Sequence, residues 1–288
     1  MPMRPEISII VVSYDMTRQL RRTLLSLSPA YQKDCPEGRC QVIVIDNGSP
    51  VPPTAADLAV PGLPIELHYR PGASPSPVDA VNFGLSLAKA PHIAVMIDGA
   101  RLASPGLVNG CLAACGLHPR PVVATYNYHL GQQPQQRAVR DGYDMGRENA
   151  LLASIGWPAD GYRLFEIAVL ELGRPWPNPM LETNFLCMPR GLWSELGGYD
   201  AQFKSAGGGA VNHDTFWRAC ALPDVQLIRV AGEATFHQVH GGVATNAGDD
   251  RAHLRIGLEF IKIRHRRIVP VRSPGWLYDP QTGTTSKP

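Results

Sequence analysis

The stretch ISIIVVSYDMTRQLRRTLLSL, residues 7–27, places a strand pattern directly before a helix pattern. Residues 7–13 are a continuous run of mostly β-branched side chains, which is typical of a parallel strand buried on both faces. Leucines then recur at helical spacing, with Thr17 as the expected N-cap and Pro29 as the residue that ends the helix. The chain therefore opens with a strand that leads into an amphipathic helix.

Later segments repeat this order of elements. Further strands are predicted at residues 41–45, 65–70, 93–97 and 122–129, and further helices at residues 78–90, 104–117 and 252–264. This alternation predicts a mostly parallel sheet with right-handed crossovers. Residues 131–137 are expected to be a polar connector, and residues 279–288 a frayed tail with few apolar groups.

Composition excludes several classes of protein. The chain has 288 residues with 27 Lys and Arg against 25 Asp and Glu, so the net charge of +2 gives no general case for binding nucleic acid. No apolar run approaches the roughly 20 residues of a membrane span. The six cysteines form no CxxC pair and no secretory leader is recognisable, so reduced thiols and a cytoplasmic location are expected, although Cys35 and Cys40 could pair in an oxidising compartment.

Polar residues stand where three of the predicted strands end. Ser13 and Tyr14 follow the first strand, Asp46 the second, and Asp98 the strand at 93–97. Carboxyl ends of parallel strands meet at one crevice, and a nucleotide fits there. Tyr14 could stack on a base, Asp46 could accept from a base or ribose, and Asp98 could hold a divalent cation. The alternative is that each residue caps a neighbouring helix.

Four segments in the same order resemble the motifs of inverting family-two GT-A glycosyltransferases. They are ISIIVVSYDMTRQLRRTLLSL (7–27), VIVIDNGS (42–49), VNFGLSLAKAPHIAVMIDGA (81–100) and TNFLCMPRGLWSELGGYDAQFKSAGGGAVNHDTFWRA (183–219). Each motif alone is common, but the ordered set is specific. The resemblance implies one Rossmann-like α/β domain of GT-A type, with a mostly parallel central sheet flanked by helices. Residues 1–110 would form the nucleotide-sugar-binding half, 111–270 the acceptor-side half, and 271–288 a C-terminal tail.

The resemblance also implies roles for single residues on the donor side. It implies that the nucleotide sugar is contacted by Ser13, Tyr14, Asp46, Arg70 and Asn82.

Asp98 matches an acid of the family's metal-binding DXD motif, but the sequence reads Asp98-Gly99-Ala100-Arg101 and lacks a second carboxylate. Either metal affinity is weak, or another group supplies the ligand, or Arg101 replaces part of the cation's charge on the diphosphate.

Two later motifs would complete the site. Asn212-His213-Asp214 stands where the family carries its acidic catalytic pair, so Asp214 is the expected general base, with a helix N-cap as the alternative. A late histidine completes the metal shell in several GT-A enzymes, which makes His237 the expected second ligand. His240 could also bind the metal or could simply pair with His237. Imidazole ligands favour Mn²⁺ over Mg²⁺.

The only dense basic patch is Lys262, Arg264, Arg266 and Arg267. It is typical of a solvated helix end, where positive charge is favoured by the helix dipole. The alternative is a peripheral contact with an anionic lipid surface or an acidic acceptor.

These features predict a glycosyltransferase that moves a sugar from a nucleoside diphosphate sugar to an unknown hydroxyl acceptor, with inversion and with Mn²⁺ or Mg²⁺. Residues 128–180 are expected to determine the acceptor. The alternatives are a catalytically silent nucleotide-sugar-binding domain and a nucleotidyltransferase. The latter is less favoured because residues 13–19 contain no glycine-rich phosphate loop.

Overall fold

The computed structural model describes residues 4–171, 175–240 and 250–288. Its strands are β1 (Ile7–Ser13), β2 (Cys40–Asp46), β3 (Ile65–Tyr69), β4 (His92–Met96), β5 (Arg101–Ala103), β6 (Pro121–Leu130), β7 (Ala168–Leu170), β8 (Phe185–Pro189), β9 (Gln226–His237), β10 (Trp276–Asp279) and β11 (Thr284–Ser286). Its α-helices are α1 (Thr17–Ser26), α2 (Val78–Leu87), α3 (Leu107–Cys115), α4 (Gln135–Arg140), α5 (Met145–Ser154), α6 (Arg190–Leu196), α7 (Val211–Cys220) and α8 (Asp250–Arg264).

All of these strands belong to one sheet. Its main order is β11-β10-β9-β6-β8-β4-β1-β2-β3, while β5 pairs with β9 and β7 with β6. Along this order β8 and β11 run against the other seven strands, so the sheet is mostly parallel, as predicted. The β4–β8 pairing joins the two predicted halves of the chain in a single sheet.

Apolar clusters cover both faces of the sheet, and β1 contributes to each. Ile9 packs in the cluster that includes Leu20 of α1, while Ile10 packs in the cluster that includes Val81 of α2 and Phe216 of α7. Each fully buried side chain of this kind stabilises the fold by about 1.5–3 kcal/mol. The unbroken β-branched run is therefore explained by helices on both sides of the strand.

Three local expectations were wrong. Thr17 is the first residue of α1 rather than its N-cap, and Met16 at the cap position makes no side-chain capping bond. The expected polar connector instead contains the start of α4. Gln135 in this helix is buried, and its Nε2 donates to Gln238 O at 3.2 Å. The expected tail forms the β10–β11 hairpin at the sheet edge, where Tyr278 packs into the core beside Trp276.

Among the helices of the described residues, none has both the length and the apolar character that a membrane span requires.

The contact between α2 and β1 makes a testable prediction. A Cβ atom at Gly84 would lie 2.6 Å from Ile10 Cγ2, inside a packed core. Overpacking of this kind costs about 1–3 kcal/mol, which outweighs the gain of up to about 1 kcal/mol in helix propensity. Gly84→Ala should therefore lower the free energy of unfolding measured in urea.

Gly191 in α6 is the matched control, since a Cβ there would meet nothing within 4 Å. Gly191→Ala should raise the free energy of unfolding by up to about 1 kcal/mol. Equal effects of the two substitutions would contradict the close packing of α2 on β1.

Candidate active site

Asp46 organises the loops that follow β1 and β2. The carboxylate is buried, and its two oxygens accept hydrogen bonds from Ser49 N at 2.8 Å and Ser49 Oγ at 2.6 Å. Ser49 Oγ in turn accepts from Asp15 N at 2.8 Å. Asp46 thus lies at the predicted strand end beside Ser13 and ties the two strand-end loops together. Its contact with a nucleotide stays a prediction.

Three other residues that were predicted to contact the nucleotide sugar lie near Asp46. Ser13 Oγ is buried and has no hydrogen-bond partner among the described residues, so it has bonding capacity left for a ligand. Tyr14 is 53% exposed, as a stacking platform requires. Arg70 follows β3, and its guanidinium lies 4.5 Å from the centre of the Phe83 ring.

Asn82 has a structural role in the fold. Its Nδ2 donates to Tyr199 O at 2.8 Å, and its Oδ1 accepts from Tyr199 N at 2.9 Å. The side-chain amide thereby holds α2 against the loop after α6. The expected ribose or phosphate contact stays a prediction.

A carboxylate and two imidazoles meet at the ends of β4 and β9. The ligand atoms of Asp98, His237 and His240 lie within 4.8 Å of one another, and the two Nε2 atoms are 3.0 Å apart. The strand register aligns this group, because β9 pairs His237 with Arg101 of β5 and with His129 of β6. The structure thus brings together the two predicted metal ligands and His240, whose role the sequence left open.

The protonation of the imidazoles suits a metal. Burial lowers the pKa of His237 well below its ordinary value, and the charge of Arg101 lowers it further. Burial also lowers the pKa of His240. Neutral imidazoles with a carboxylate form a donor set that fits Mn²⁺. His237 Nδ1 is buried without a hydrogen-bond partner among the described residues, so the ring is not held by a bond at its other nitrogen.

The missing second acid of the metal motif has a packing explanation. A Cβ at Gly99 would lie 3.1 Å from Leu20 Cδ1, and Ala100 is fully buried, so neither position accommodates a solvated carboxylate. Arg101 Nε lies 3.0 Å from Asp98 Oδ2, and its Nη1 is buried without a described partner. Arg101 and the imidazoles of His237 and His240 therefore lie beside Asp98 in place of the expected second acid.

Side chains from α1 and α5 hold the segment that carries both histidines. Gln19 Nε2 donates to Val239 O at 2.8 Å, and Glu148 accepts from Val239 N at 2.5 Å. Gln238 Nε2 donates back to Gln19 O at 3.1 Å. The main chain between His237 and His240 is fixed on both of its sides.

Asp214 lies in an ionic cluster between α7 and α8. It is fully buried; Oδ2 accepts from Arg218 Nε at 2.8 Å and Arg264 Nη2 at 2.9 Å, and Oδ1 accepts from Arg264 Nε at 2.5 Å. It is not an N-cap either, since α7 begins at Val211. A carboxylate held by two guanidinium groups without access to solvent cannot reach an acceptor hydroxyl. This geometry argues against Asp214 as the general base.

Two of the four residues of the predicted basic patch contact other side chains, and two are exposed. Arg264 binds Asp214 and Asp200, and the Arg266 guanidinium lies 3.7 Å from the centre of the Trp217 ring. Lys262 is exposed, as is Arg267. The membrane or acceptor contact of this patch stays a prediction.

Two glutamates that the sequence did not single out share a small cavity. Glu171 and Glu182 line it with Tyr126, Asn127 and Met180. His129 Nε2 lies 3.3 Å from Glu171 Oε1, and Asn212 Nδ2 donates to Glu182 Oε2 at 3.0 Å. A surface groove of about 720 Å³ lies elsewhere, between α1 and residues 56–61. The available sequence signal was Glu182, three residues before the start of β8, but its position near Asp98 follows only from the pairing of β8 with β4.

Comparison with known proteins identifies the architecture. No family model matches the chain, and no curated protein does. The solved structure of TarS from S. aureus is similar over 90% of this chain and 40% of that chain, with 13% identity and a TM-score of 0.56. A mannosyltransferase from Pyrobaculum calidifontis, in complex with GDP-Man and Mn²⁺, is similar over 93% of this chain and 66% of that chain, with 17% identity and a TM-score of 0.56. The chain has the GT-A fold.

A third similar structure is TarS 1–349 in complex with UDP-GlcNAc, with 13% identity and a TM-score of 0.56 over 90% of this chain and 67% of that one. The GT-A chain described here thus spans 40% of TarS and about two thirds of the other two chains.

The ionic cluster predicts that Asp214→Asn destabilises the protein. Removing one partner of a buried ion pair costs about 3–5 kcal/mol, because the remaining charge is left uncompensated. The free energy of unfolding in urea should fall by about this amount. Asp200→Asn, at the less buried end of the cluster, should cost less. Unchanged stability with a large loss of turnover in Asp214→Asn would restore its role as the base.

Glu148 predicts a pH dependence of stability. Burial raises its pKa to about 7, against the opposing effects of Val239 N–H and Arg22. A carboxyl with a raised folded-state pKa stabilises the fold when protonated, fully below its unfolded pKa, and this contribution is lost as pH rises through 7. Glu148→Gln mimics the protonated form, so its free energy of unfolding should fall less between pH 5 and pH 8 than that of the parent. The difference between the two falls should be roughly 3 kcal/mol at most.

Urea midpoints at the two pH values measure this difference. Glu37→Gln, at an exposed position, is the control and should follow the parent. Parallel curves for Glu148→Gln and the parent would show that Glu148 has an ordinary pKa.

Proposed function

We propose that this GT-A chain is a glycosyltransferase that uses a nucleoside diphosphate sugar and a hydroxyl acceptor, with inversion and with a divalent cation. The observation that carries the proposal is the group formed by Asp98, His237 and His240. Asp98 of this group follows β4, which pairs with β1, the strand that ends at Ser13. Structures of the same fold bind UDP-GlcNAc, UDP, and GDP-Man with Mn²⁺.

The donor would lie across the ends of β1, β2 and β4. Tyr14 stacks on the base, and Ser13 Oγ and Asp46 contact the nucleoside, with Arg70 and Asn82 as the further predicted contacts. A carboxylate can contact a ligand while it organises a turn, since each oxygen accepts more than one hydrogen bond.

The diphosphate would lie at the metal group. Asp98, His237 and His240 would hold Mn²⁺ in preference to Mg²⁺, because two of the three ligands are imidazoles. A bound cation neutralises charge that develops on the departing diphosphate. Arg101 adds a permanent positive charge at the same place.

Inversion follows from a single displacement, which needs a general base and no covalent nucleophile. The second candidate function is a nucleotide-sugar-binding domain without turnover. It is favoured by the ionic cluster around Asp214, in which Arg218 and Arg264 contact both oxygens of the base that the sequence indicated.

Donor binding tests the proposal. Calorimetry with UDP-GlcNAc and GDP-Man should show that the parent binds at least one donor about tenfold or more tightly in Mn²⁺ than in EDTA. His237→Ala should remove this difference, because a two-ligand site holds the cation weakly. His265→Ala, at an exposed position after α8, is the matched control and should behave as the parent.

Arg101→Ala separates the two sources of positive charge. If a cation is bound, this substitution weakens donor binding less than Asp98→Ala does. If Arg101 replaces the cation, it weakens binding more. Equal donor affinity of the parent in Mn²⁺ and in EDTA would rule out the cation.

A further inference from the structure

We propose that Glu182 is the general base of the transfer reaction, positioned by Asn212, and that the acceptor hydroxyl binds at the cavity beside β6 and β7. This inference rests on the proposed function and deepens it. It assigns the proton acceptor to the segment before β8 rather than to Asp214 on α7.

The contacts of Glu182 are those of an active carboxylate. Its side chain is 14% exposed, so a solute can reach it. Its Oε2 accepts a hydrogen bond from the neutral amide of Asn212 and lies 3.5 Å from His213 Nδ1. A neutral donor orients the Glu182 carboxylate and leaves it lone pairs for an acceptor hydroxyl, whereas two guanidinium groups occupy both oxygens of Asp214.

Asn212 is itself held in one orientation. Its Nδ2 also donates to Thr183 O at 2.9 Å, and its Oδ1 accepts from Tyr199 Oη at 3.2 Å. These partners fix the amide so that its N–H groups point to Glu182 and the adjacent main chain. The asparagine at the start of α7 therefore acts as a positioning residue.

Strand pairing places Glu182 close to the donor side. The antiparallel register of β4 and β8 continues beyond both strands, since Ile97 N donates to Asn184 O at 3.3 Å. Residues 182–184 therefore lie alongside the segment that contains Asp98. Asn184 links the two glutamates, with Nδ2 at 3.4 Å from Glu171 Oε2 and Oδ1 at 3.5 Å from Asn212 Nδ2.

Glu171 is the competing carboxylate of the cavity, and its contacts make it a weaker base. Although burial opposes its ionisation, the hydrogen bond and charge of His129 and the charge of Arg101 lower its pKa. The His129 ring also packs against His237, with ring centres 5.4 Å apart. Glu171 is thereby linked through His129 to His237, whereas the contacts of Glu182 run to Asn212 and His213.

The reaction balances with donor and acceptor alone. The acceptor hydroxyl gives its proton to the Glu182 carboxylate as its oxygen bonds to the anomeric carbon. The bond between that carbon and the β-phosphate oxygen breaks, and its electron pair leaves with the nucleoside diphosphate beside Arg101. Glu182 then releases the proton to solvent.

The test measures release of nucleoside diphosphate from UDP-GlcNAc or GDP-Man in Mn²⁺, with water and a panel of nitrophenyl glycosides as acceptors. Glu182→Gln should reduce kcat about 100- to 10,000-fold, while the donor Kd and the Tm stay at parental values. Glu182→Asp keeps the carboxylate and should recover part of the rate. Glu171→Gln, from the same cavity, should reduce kcat less than Glu182→Gln does, and Glu37→Gln, at an exposed position, is the control that should keep the parental kcat.

Each outcome decides the assignment. Parental turnover in Glu182→Gln, or a larger loss in Glu171→Gln, overturns it. If Glu182→Gln does not fold, reduced kcat with unchanged donor Kd in Glu182→Asp supports it, and parental kcat overturns it. A parent that binds donor but never releases nucleoside diphosphate overturns it in favour of the silent domain. A parent that binds no donor refutes the proposed function itself, before any variant is compared.

Discussion

The antiparallel pairing of β8 with β4 is the constraint on which the site depends. It inserts one reversed strand into a parallel sheet, so that the start of β8 lies at the edge where the parallel strands end. The polar segment before β8 then meets the Asp98 segment, and α7 packs behind both. Because a shift of one residue in this register would turn every side chain of β8 to the opposite face, the position of Glu182 relative to Asp98 depends on this pairing.

Buried charge is compensated differently on the two sides of this sheet edge. Near Asp98, burial and the charge of Arg101 lower the pKa of His237, so its imidazole can offer a lone pair to a cation, while Arg101 is paired with Asp98. On α7, the buried Asp214 is balanced by Arg218 and Arg264, which joins α7 to α8. The first arrangement leaves bonding capacity for a ligand, whereas the second is complete within the protein. Buried polar groups with unmet partners are therefore the better guide to a site than burial alone.

The resemblance in sequence located both regions but did not separate their roles. Asn212-His213-Asp214 contains one residue that stabilises the fold and one that orients a neighbouring glutamate. The spacing of Asp214 and Arg218, four residues apart on one helix, was a visible signal for an ion pair. The contribution of Arg264 was not visible, because it comes from a helix 50 residues further along the chain.

The sequence by itself determined the alternation of strands and helices, the strand ends at Ser13, Asp46 and Asp98, and the place of His237 after a late strand. These features follow from local periodicity and from turn-forming residues, which act over a few neighbouring positions. Only the tertiary structure decided that His240 lies beside Asp98 and His237, that Asp214 is enclosed by arginines, and that Glu182 stands near Asp98. Those outcomes depend on which strands pair and in which register, and such contacts between distant segments are not encoded in the spacing of any one motif.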